Sequence, residues 1–199
     1  MFTERKRNRA DQKAATRARI LEVARAELER NGYEATNIRG IAQAAGVSTG
    51  AVLLHFQDKQ DLLHAALFND LEQTWQATRP KLRRKSLEGD LTTLAKSFFS
   101  YYEARPALSR ALLRESLFAA PPWSGRFAAQ VGEVHALVAE LAKDAINRGE
   151  LNPETDIALF GAAFFSFYYF ALLAWLQGGH PDPLRLFRRL LNQHIQGLK

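Results

Sequence analysis

Apolar residues recur along this chain at intervals of three and four, which is the spacing of one face of an α-helix. In residues 11–30, for example, Leu21, Ala24 and Leu28 follow this interval. No run alternates apolar and polar residues between hairpin turns, as a half-buried strand would. The pattern therefore predicts an all-α protein of about nine helices, with no internal repeats.

Capping and turn residues predict where these helices begin and end. Serine, threonine, aspartate and asparagine accept hydrogen bonds from the free N–H groups of a first helical turn, and proline fits just after them. The predicted caps are Thr36, Ser48, Asp58 (boxed with Asp61), Asn152 before Pro153, and Asp182 before Pro183. The first seven predicted helices are 11–30, 36–44, 48–54, 58–79, 87–103, 106–120 and 124–148. The eighth opens at Asn152 and the ninth at Asp182.

Positive charge is concentrated at the N-terminal end. The net charge of the 199 residues is +6, and residues 1–19 hold seven basic but only two acidic residues. A short basic arm before a folded domain is typical of nucleic-acid binding, although a solvated tail has the same composition. The candidate phosphate-binding residues of this arm are Arg5, Lys6, Arg7 and Arg9.

A long uncharged segment, Ile157–Leu176, is apolar enough to cross a bilayer. Gly161 and Ser166 interrupt it, Gln177 flanks it, and its ends show no clear Lys/Arg asymmetry. A helix that is apolar all round can instead be buried in a core or between subunits, and we favour that interpretation. We therefore expect no membrane partner. The absence of cysteine suits a reducing cytoplasm, and we expect a cytoplasmic protein.

Residues 36–59 have the pattern of a helix-turn-helix. Ile38, Ile41, Val47 and Val52 can form a small core across the turn at Gly46. The small residues that follow the turn let the backbone approach DNA closely. An ordinary helical hairpin would show a similar pattern.

Residues 17–67 resemble the DNA-binding domain of the TetR/AcrR family of regulators. The resemblance is carried in register by Gly32-Tyr33, Ala35-Thr36, Ile41-Ala42, Ala45-Gly46-Val47-Ser48, Gly50, His55-Phe56 and Lys59 with Leu62-Leu63. Composition changes near residue 60, from a basic segment of short helices to longer helices rich in aromatic residues, so we place a domain boundary there, inside the fourth helix. The resemblance implies that residues 1–60 are the helix-turn-helix domain and residues 61–199 a helical effector-binding and dimerisation domain. It also implies a dimer on a palindromic double-stranded DNA operator with half-sites about 34 Å apart.

The resemblance further implies roles for individual residues. Thr36 and Arg39 of the second helix would contact a phosphate or a guanine edge, although Arg39 also fits a solvated surface charge. His55 and Lys59 would contact phosphates, although Lys59 also fits a plain helix surface. The remaining residues expected to face DNA are Ser48, Thr49, Gly50, Ala51 and Leu53.

Leu53 departs from the family pattern, which commonly has an aromatic residue, usually tyrosine, at this position. Leucine cannot donate to a phosphate and can give only apolar contact, for instance to a thymine methyl. This indicates either a different operator or weaker binding. In the second case the basic arm can compensate, since phosphate contacts supply much of the affinity.

The resemblance also places a dimer interface on the eighth and ninth helices and an effector pocket among the fifth to eighth. Phe167 and Phe187 are the residues we expect near the dimer contact. Aromatic residues at helical spacing also form ordinary cores, and Arg114 and Glu115 can simply pair with each other. The aromatic bias favours an apolar or aromatic effector. The candidate pocket residues are Phe98, Tyr102, Arg114, Glu115, Phe118, Trp123, His135, Phe164 and Tyr168.

The sequence therefore predicts a transcriptional regulator, in particular a repressor that a small molecule releases from its operator. An activator of the same fold, a helical enzyme and a membrane-associated protein are the alternatives. We find no nucleophile elbow, phosphate-binding loop, dinucleotide fingerprint or zinc motif, and the five histidines lack metal-ligand spacing. We therefore expect no enzymatic activity, no cofactor and no metal.

Overall fold

The computed structural model describes residues 2–199, with side chains from residue 9 onward. Within this range the chain forms nine α-helices, one 3-10 turn (Arg79–Lys81) and no strand. The α-helices are α1 (Phe2–Ala35), α2 (Ile38–Ala44), α3 (Thr49–Leu53), α4 (Lys59–Thr78), α5 (Leu87–Glu103), α6 (Pro106–Ser116), α7 (Trp123–Asn147), α8 (Ile157–Leu176) and α9 (Pro183–Gln196). The predicted all-α fold is confirmed.

The chain divides into two compact units. The first consists of Met1–Asp70 and Ala107–Trp123, and the second of Leu71–Pro106 and Ser124–Lys199. The first division falls inside α4, and α6 belongs with the N-terminal helices. The two units are defined by packing, and their first boundary lies at residues 70/71 rather than at residue 60. The assignment of DNA binding to residues 1–60 and of effector binding and dimerisation to residues 61–199 stays a prediction.

The first unit is built on α1 to α3, whose buried face includes Ile20, Leu28, Ile41 and Val52. Arg25 on α1 pairs with Asp70 on α4, with 2.9 Å between Nε and Oδ2. This ion pair joins the two helices at a largely buried position.

The helical run of α1 is broken at Gly32, whose φ of +75° favours glycine. The predicted cap at Thr36 is wrong. Its side chain is buried, and its hydroxyl donates to the Gly32 carbonyl at 2.7 Å. Asn37 caps α2 instead, since its Oδ1 accepts the Gly40 N–H at 2.9 Å.

Three other predicted caps are confirmed. Ser48 Oγ accepts the Ala51 N–H at 3.1 Å, Asp58 accepts that of Asp61 at 2.7 Å, and Asp182 accepts that of Arg185 at 2.8 Å. The Asn152 cap is wrong, because α8 begins at Ile157 behind Asp156, whose carboxylate accepts the Leu159 N–H at 2.9 Å. Asn152 instead closes a turn by accepting the Glu154 N–H.

In the second unit, α9 packs against α5 and α8 through buried aromatic rings. Phe187 lies edge-on to Phe99 and to Phe164, with ring centroids 6.0 and 5.5 Å apart, and has no exposed surface. Phe187 therefore cannot lie at a dimer contact, and that prediction is wrong. Phe167 is half-buried, with its ring 5.4 Å from that of His194.

One side of α8, with Phe164 and Tyr168, is buried in the second unit, and the other side is exposed and mostly apolar. We call this surface the α8 outer face; its residues are Leu159, Ala162, Ser166, Phe170 and Leu173. Their spacing of three and four places them in one stripe along the helix. Within the described part of the chain, α8 alone is long and apolar enough to cross a membrane, a test that core helices of soluble proteins also pass.

Candidate DNA-binding surface and ligand cavity

The predicted recognition helix, α3, presents a compact exposed surface. Val52 of α3 and Phe56, four residues later, are buried in the core of the first unit. Ser48, Thr49, Gly50, Leu53 and Leu54 are exposed on the other side, and Ala51 is half-buried. Thus Ser48, Thr49, Gly50 and Leu53 of the predicted DNA-facing set lie together in space, while their contacts to bases stay predictions.

Basic residues of α1 flank this surface. The sequence analysis had named only basic residues of the arm, not these, as phosphate ligands. Arg17 lies with its guanidinium 5.1 Å from the centroid of the Phe56 ring. Burial, and then the charges of Lys13 and Arg17, lower the pKa of His55. The sequence signal that could have identified this basic flank is the spacing of Lys13 and Arg17, which lie four residues apart on one face of the helix.

The backbone of residues 2–8 continues α1 towards its N-terminus, so the basic arm is helical. Its helix starts well before residue 11, where the sequence pattern placed it. Arg9 is exposed on this helix. The side chains of Arg5, Lys6 and Arg7 lie outside the described residues, and their role on DNA stays a prediction.

Two of the predicted phosphate ligands are engaged within the chain itself. Thr36 is buried and hydrogen-bonded, as described above, so its hydroxyl is not at the surface. Lys59 Nζ donates to the Tyr33 carbonyl at 2.8 Å and lies 4.1 Å from the centroid of the Tyr33 ring. Arg39 on α2 is exposed. Asn37, which the sequence analysis missed, is the exposed polar residue at the start of α2.

The lowered pKa of His55 makes DNA binding sensitive to pH, provided that its ring contacts a phosphate. The free protein then holds His55 uncharged at neutral pH, and the phosphate raises its pKa again, so binding takes up a proton. Affinity should rise as the pH falls below 6.5, by up to about tenfold for each pKa unit gained. Affinity measured between pH 8 and pH 5.5 should lose this rise in His55→Gln; an identical pH profile in both proteins would remove His55 from the interface.

The second unit contains a cavity of about 70 Å³ among α4, α5, α7 and α8. Its wall is almost entirely apolar and rich in aromatic rings. Four predicted pocket residues line it: Phe98, Tyr102, Phe164 and Tyr168. The residues that the sequence analysis missed are Leu71, Trp75, Leu94, Ala95, Gln130, Val131, Val134, Phe165 and Tyr169.

The other predicted pocket residues lie elsewhere. Arg114 and Glu115 on α6, together with Phe118 and Trp123 after it, belong to the first unit. Arg114 binds Glu34 and Glu115, each at 3.0 Å, while Trp123 donates to Asp61 at 2.7 Å. Phe118 is 91% exposed. His135 stacks on Phe165, with ring centroids 3.8 Å apart, behind the cavity wall.

Four polar side chains of the cavity wall, Trp75, Tyr102, Gln130 and Tyr168, form hydrogen bonds within the second unit. Gln130 donates to Glu72 at 3.1 Å, and the Trp75 indole donates to Glu133 at 3.0 Å. The Tyr102 and Tyr168 hydroxyls bond to each other, and burial raises the pKa of both. Among the described residues, no group of three His, Asp or Glu side chains is arranged to hold a metal. The lining of the cavity therefore suits an apolar ligand.

Comparison with known proteins agrees with this arrangement. Residues 20–66 match the family described as bacterial regulatory proteins, tetR family. The transcriptional regulator BetI of Paraburkholderia xenovorans is 34% identical over 74 residues, which are 37% of this chain and 37% of BetI. The transcriptional repressor KstR of Rhodococcus jostii is 28% identical over 160 residues, 80% of this chain and 72% of KstR.

Solved structures share the fold over almost the whole chain. A TetR transcription regulator from Haloarcula marismortui superposes with a TM-score of 0.78 at 19% identity, covering 93% of this chain and 98% of that one. The regulator FadR from Bacillus subtilis, in complex with stearoyl-CoA, gives 0.76 at 18% identity, covering 92% and 99%. At such identities the likeness concerns the fold.

The exposed α3 surface and the all-helical fold define a helix-turn-helix DNA-binding transcriptional regulator. The N-terminal match covers the same helices that form this surface. In residues 20–66 the chain matches the TetR family, and along most of its length its fold is similar to that of a TetR transcription regulator.

Proposed function

We propose that this regulator is a cytoplasmic repressor that binds a palindromic operator as a homodimer and leaves it when an apolar effector binds. The observation that carries this proposal is the pairing of an exposed helix-turn-helix in the first unit with an apolar cavity in the second. Repression is supported by KstR, a relative that is itself a repressor. The relatives are regulators, which favours the absence of enzymatic activity in this chain.

The effector is expected to occupy the cavity lined by Trp75, Phe98 and Tyr168. The stearoyl-CoA complex of the FadR neighbour supports an acyl or other apolar ligand. The cavity volume of about 70 Å³ is below the ~300 Å³ at which pockets for drug-sized ligands begin. A long effector therefore has to displace aromatic side chains. Since Leu71 and Trp75 lie on α4, such a displacement would act on the helix that begins at Lys59 in the DNA-binding unit.

The dimer is expected to form through the α8 outer face. Phe170 is 57% exposed, and Leu159 is more exposed still, so the stripe leaves apolar surface in water. Ala162 and Ser166 between them are small enough for a second helix to approach closely. A second copy of α8, related by a two-fold axis, would cover the stripe and present two recognition helices to a palindrome. The exposed side of α9 carries Arg185, Arg188 and Arg189 and is less suited to this contact.

A reporter assay tests repression directly. The operator selected by the protein from random DNA is placed between a promoter and a reporter gene, with and without the regulator. Repression predicts lower reporter output when the regulator is present, restored by stearoyl-CoA or by an aromatic probe such as naphthalene. Higher output in the presence of the regulator would instead identify an activator.

Filling the cavity should separate effector response from DNA binding. Ala95 is buried in the cavity wall, so Ala95→Leu adds three carbon atoms where the effector is expected to lie. We expect normal operator affinity and an effector response weakened at least about tenfold, which a titration of operator release measures. Ser100→Leu, at an exposed position of the same helix, is the matched control. An unchanged response in Ala95→Leu would place the effector elsewhere.

A further inference from the structure

The most unusual feature of the α3 surface is a pair of exposed aliphatic side chains, Leu53 and Leu54, here called the leucine pair. Leu53 is 50% exposed and Leu54 is 81% exposed. Leaving leucine side chains in water forgoes the stabilisation of burying them. Two adjacent exposed leucines therefore either contact a binding partner or have no function in binding.

The position of the leucine pair on the helix indicates that partner. Leu53 is the last residue of α3, and Leu54 is its C-cap residue with helical backbone angles. They lie four residues after Thr49 and Gly50, so each follows one of them along the same side of this helical segment. Thr49 and Gly50 are the residues expected to approach the bases. A helix that places this side in the major groove brings the leucine pair to base edges about one turn further along.

The distribution of charge around the leucine pair points the same way. From Ser48 to Gln57 the chain carries no Asp, Glu, Lys or Arg, and His55 has its pKa lowered. The cations lie to the sides, on α2 at Arg39 and on α1 at Lys13 and Arg17. Cations at the flanks suit phosphates, whereas an apolar centre suits the thymine 5-methyl, an apolar group that the major groove presents.

We propose that the leucine pair reads thymine methyl groups in the major groove and so sets the base preference of each half-site. The inference rests on the DNA-binding function and assigns it a specificity determinant. Aliphatic side chains have neither donor nor acceptor, so the methyl group is the base feature that they distinguish. Leu53 stands where the family commonly has a tyrosine, so its contact at this position is apolar rather than a hydrogen bond to a phosphate.

The test removes the methyl groups one at a time. The operator is first selected from random duplexes by the wild-type protein. Each of its thymines is then replaced by 2′-deoxyuridine, which lacks only the 5-methyl group, and affinity is measured by fluorescence anisotropy at fixed salt. We expect one or two thymines in each half-site at which the replacement weakens binding about fourfold, as the loss of one buried methyl predicts. Replacement in both half-sites should multiply the two losses.

Protein variants then assign the effect. The double variant L53A/L54A should bind thymine and deoxyuridine operators equally, while Leu117→Ala, at another exposed leucine of the first unit, should keep the wild-type difference. Circular dichroism confirms that each variant is folded. Leu53→Tyr should also lose part of the methyl dependence; if it instead tightens binding equally on both DNAs, Leu53 only marks a missing phosphate contact.

Several results would overturn the inference. The first is that deoxyuridine weakens binding at no thymine of the operator. The second is that deoxyuridine weakens the binding of wild type and L53A/L54A equally. The third is that L53A/L54A leaves DNA binding unchanged and weakens only association with another protein in the absence of DNA. Each leaves the DNA-binding function standing. Failure to select any sequence from random DNA would overturn that function itself, so the two failures are distinguishable.

Discussion

Phe170→Asp should convert the regulator into a folded monomer that scarcely binds its operator. The ring lies 57% exposed on the α8 outer face, so the change costs one subunit little. In a two-fold dimer it places two carboxylates in one apolar contact, and burying unpaired charges is strongly unfavourable. A monomer has one recognition helix and loses the gain of linked binding to a second half-site. Operator affinity should fall about 10²- to 10⁴-fold.

Light scattering and anisotropy on the same samples measure both consequences. The variant should have half the wild-type mass in solution. Phe118→Asp is the matched control, since Phe118 is 91% exposed in the first unit and should tolerate the charge with mass and affinity unchanged. A Phe170→Asp protein that remains dimeric would remove the α8 outer face from the interface. A wild-type protein soluble only in detergent would favour a membrane role for α8.

Phe187→Ala should destabilise the second unit by about 3–5 kcal/mol, the usual cost of deleting a buried phenyl ring. Phe187 has no exposed surface and contacts the rings of Phe99 and Phe164. Urea unfolding at one fixed protein concentration gives the free energy, because a dimer couples stability to concentration. Phe118→Ala should change it by less than about 0.5 kcal/mol. A cost below about 1 kcal/mol for Phe187→Ala would contradict this packing. A charge at Phe187 should therefore unfold this unit rather than separate subunits.

Local patterns in the sequence predicted the helices and most caps well. Ser48, Asp58 and Asp182 each precede an apolar helical face, and local chemistry decides their role. Thr36 and Asn37 are adjacent cap-forming residues, and the choice between them depends on a tertiary fact. The break at Gly32 leaves a carbonyl that the Thr36 hydroxyl occupies, so Asn37 takes the cap. Such a choice cannot be read from composition.

The cavity was only partly predictable for a similar reason. Aromatic spacing identified Phe98, Tyr102, Phe164 and Tyr168 because they lie on helices that converge. Phe118 and Trp123 are aromatic too, but they follow α6, in the stretch Ala107–Trp123 that belongs to the first unit. The membership of a helix in one unit or the other is set by long-range packing, which spacing along the chain does not encode.

Helix α8 shows the limit of composition most clearly. Its sequence is apolar on every side, so no polar stripe along the helix distinguishes a core face from an interface. The fold makes that distinction by burying Phe164 and Tyr168 and leaving Leu159 and Phe170 exposed. The sequence therefore indicated that α8 needs cover on all sides, and only the structure shows which side the chain itself covers.

Selection of DNA from a random duplex pool tests the central claim most directly, because it asks whether the protein reads sequence as a symmetric dimer. The account predicts enrichment of an inverted repeat whose half-site centres lie about 10–10.5 base pairs, or a multiple of that turn, apart. The enriched duplex should bind at least about 10³-fold more tightly than a scrambled one at physiological salt. Enrichment of no sequence, or affinity that depends on salt but not on sequence, would contradict the assignment of this chain as a DNA-binding transcriptional regulator.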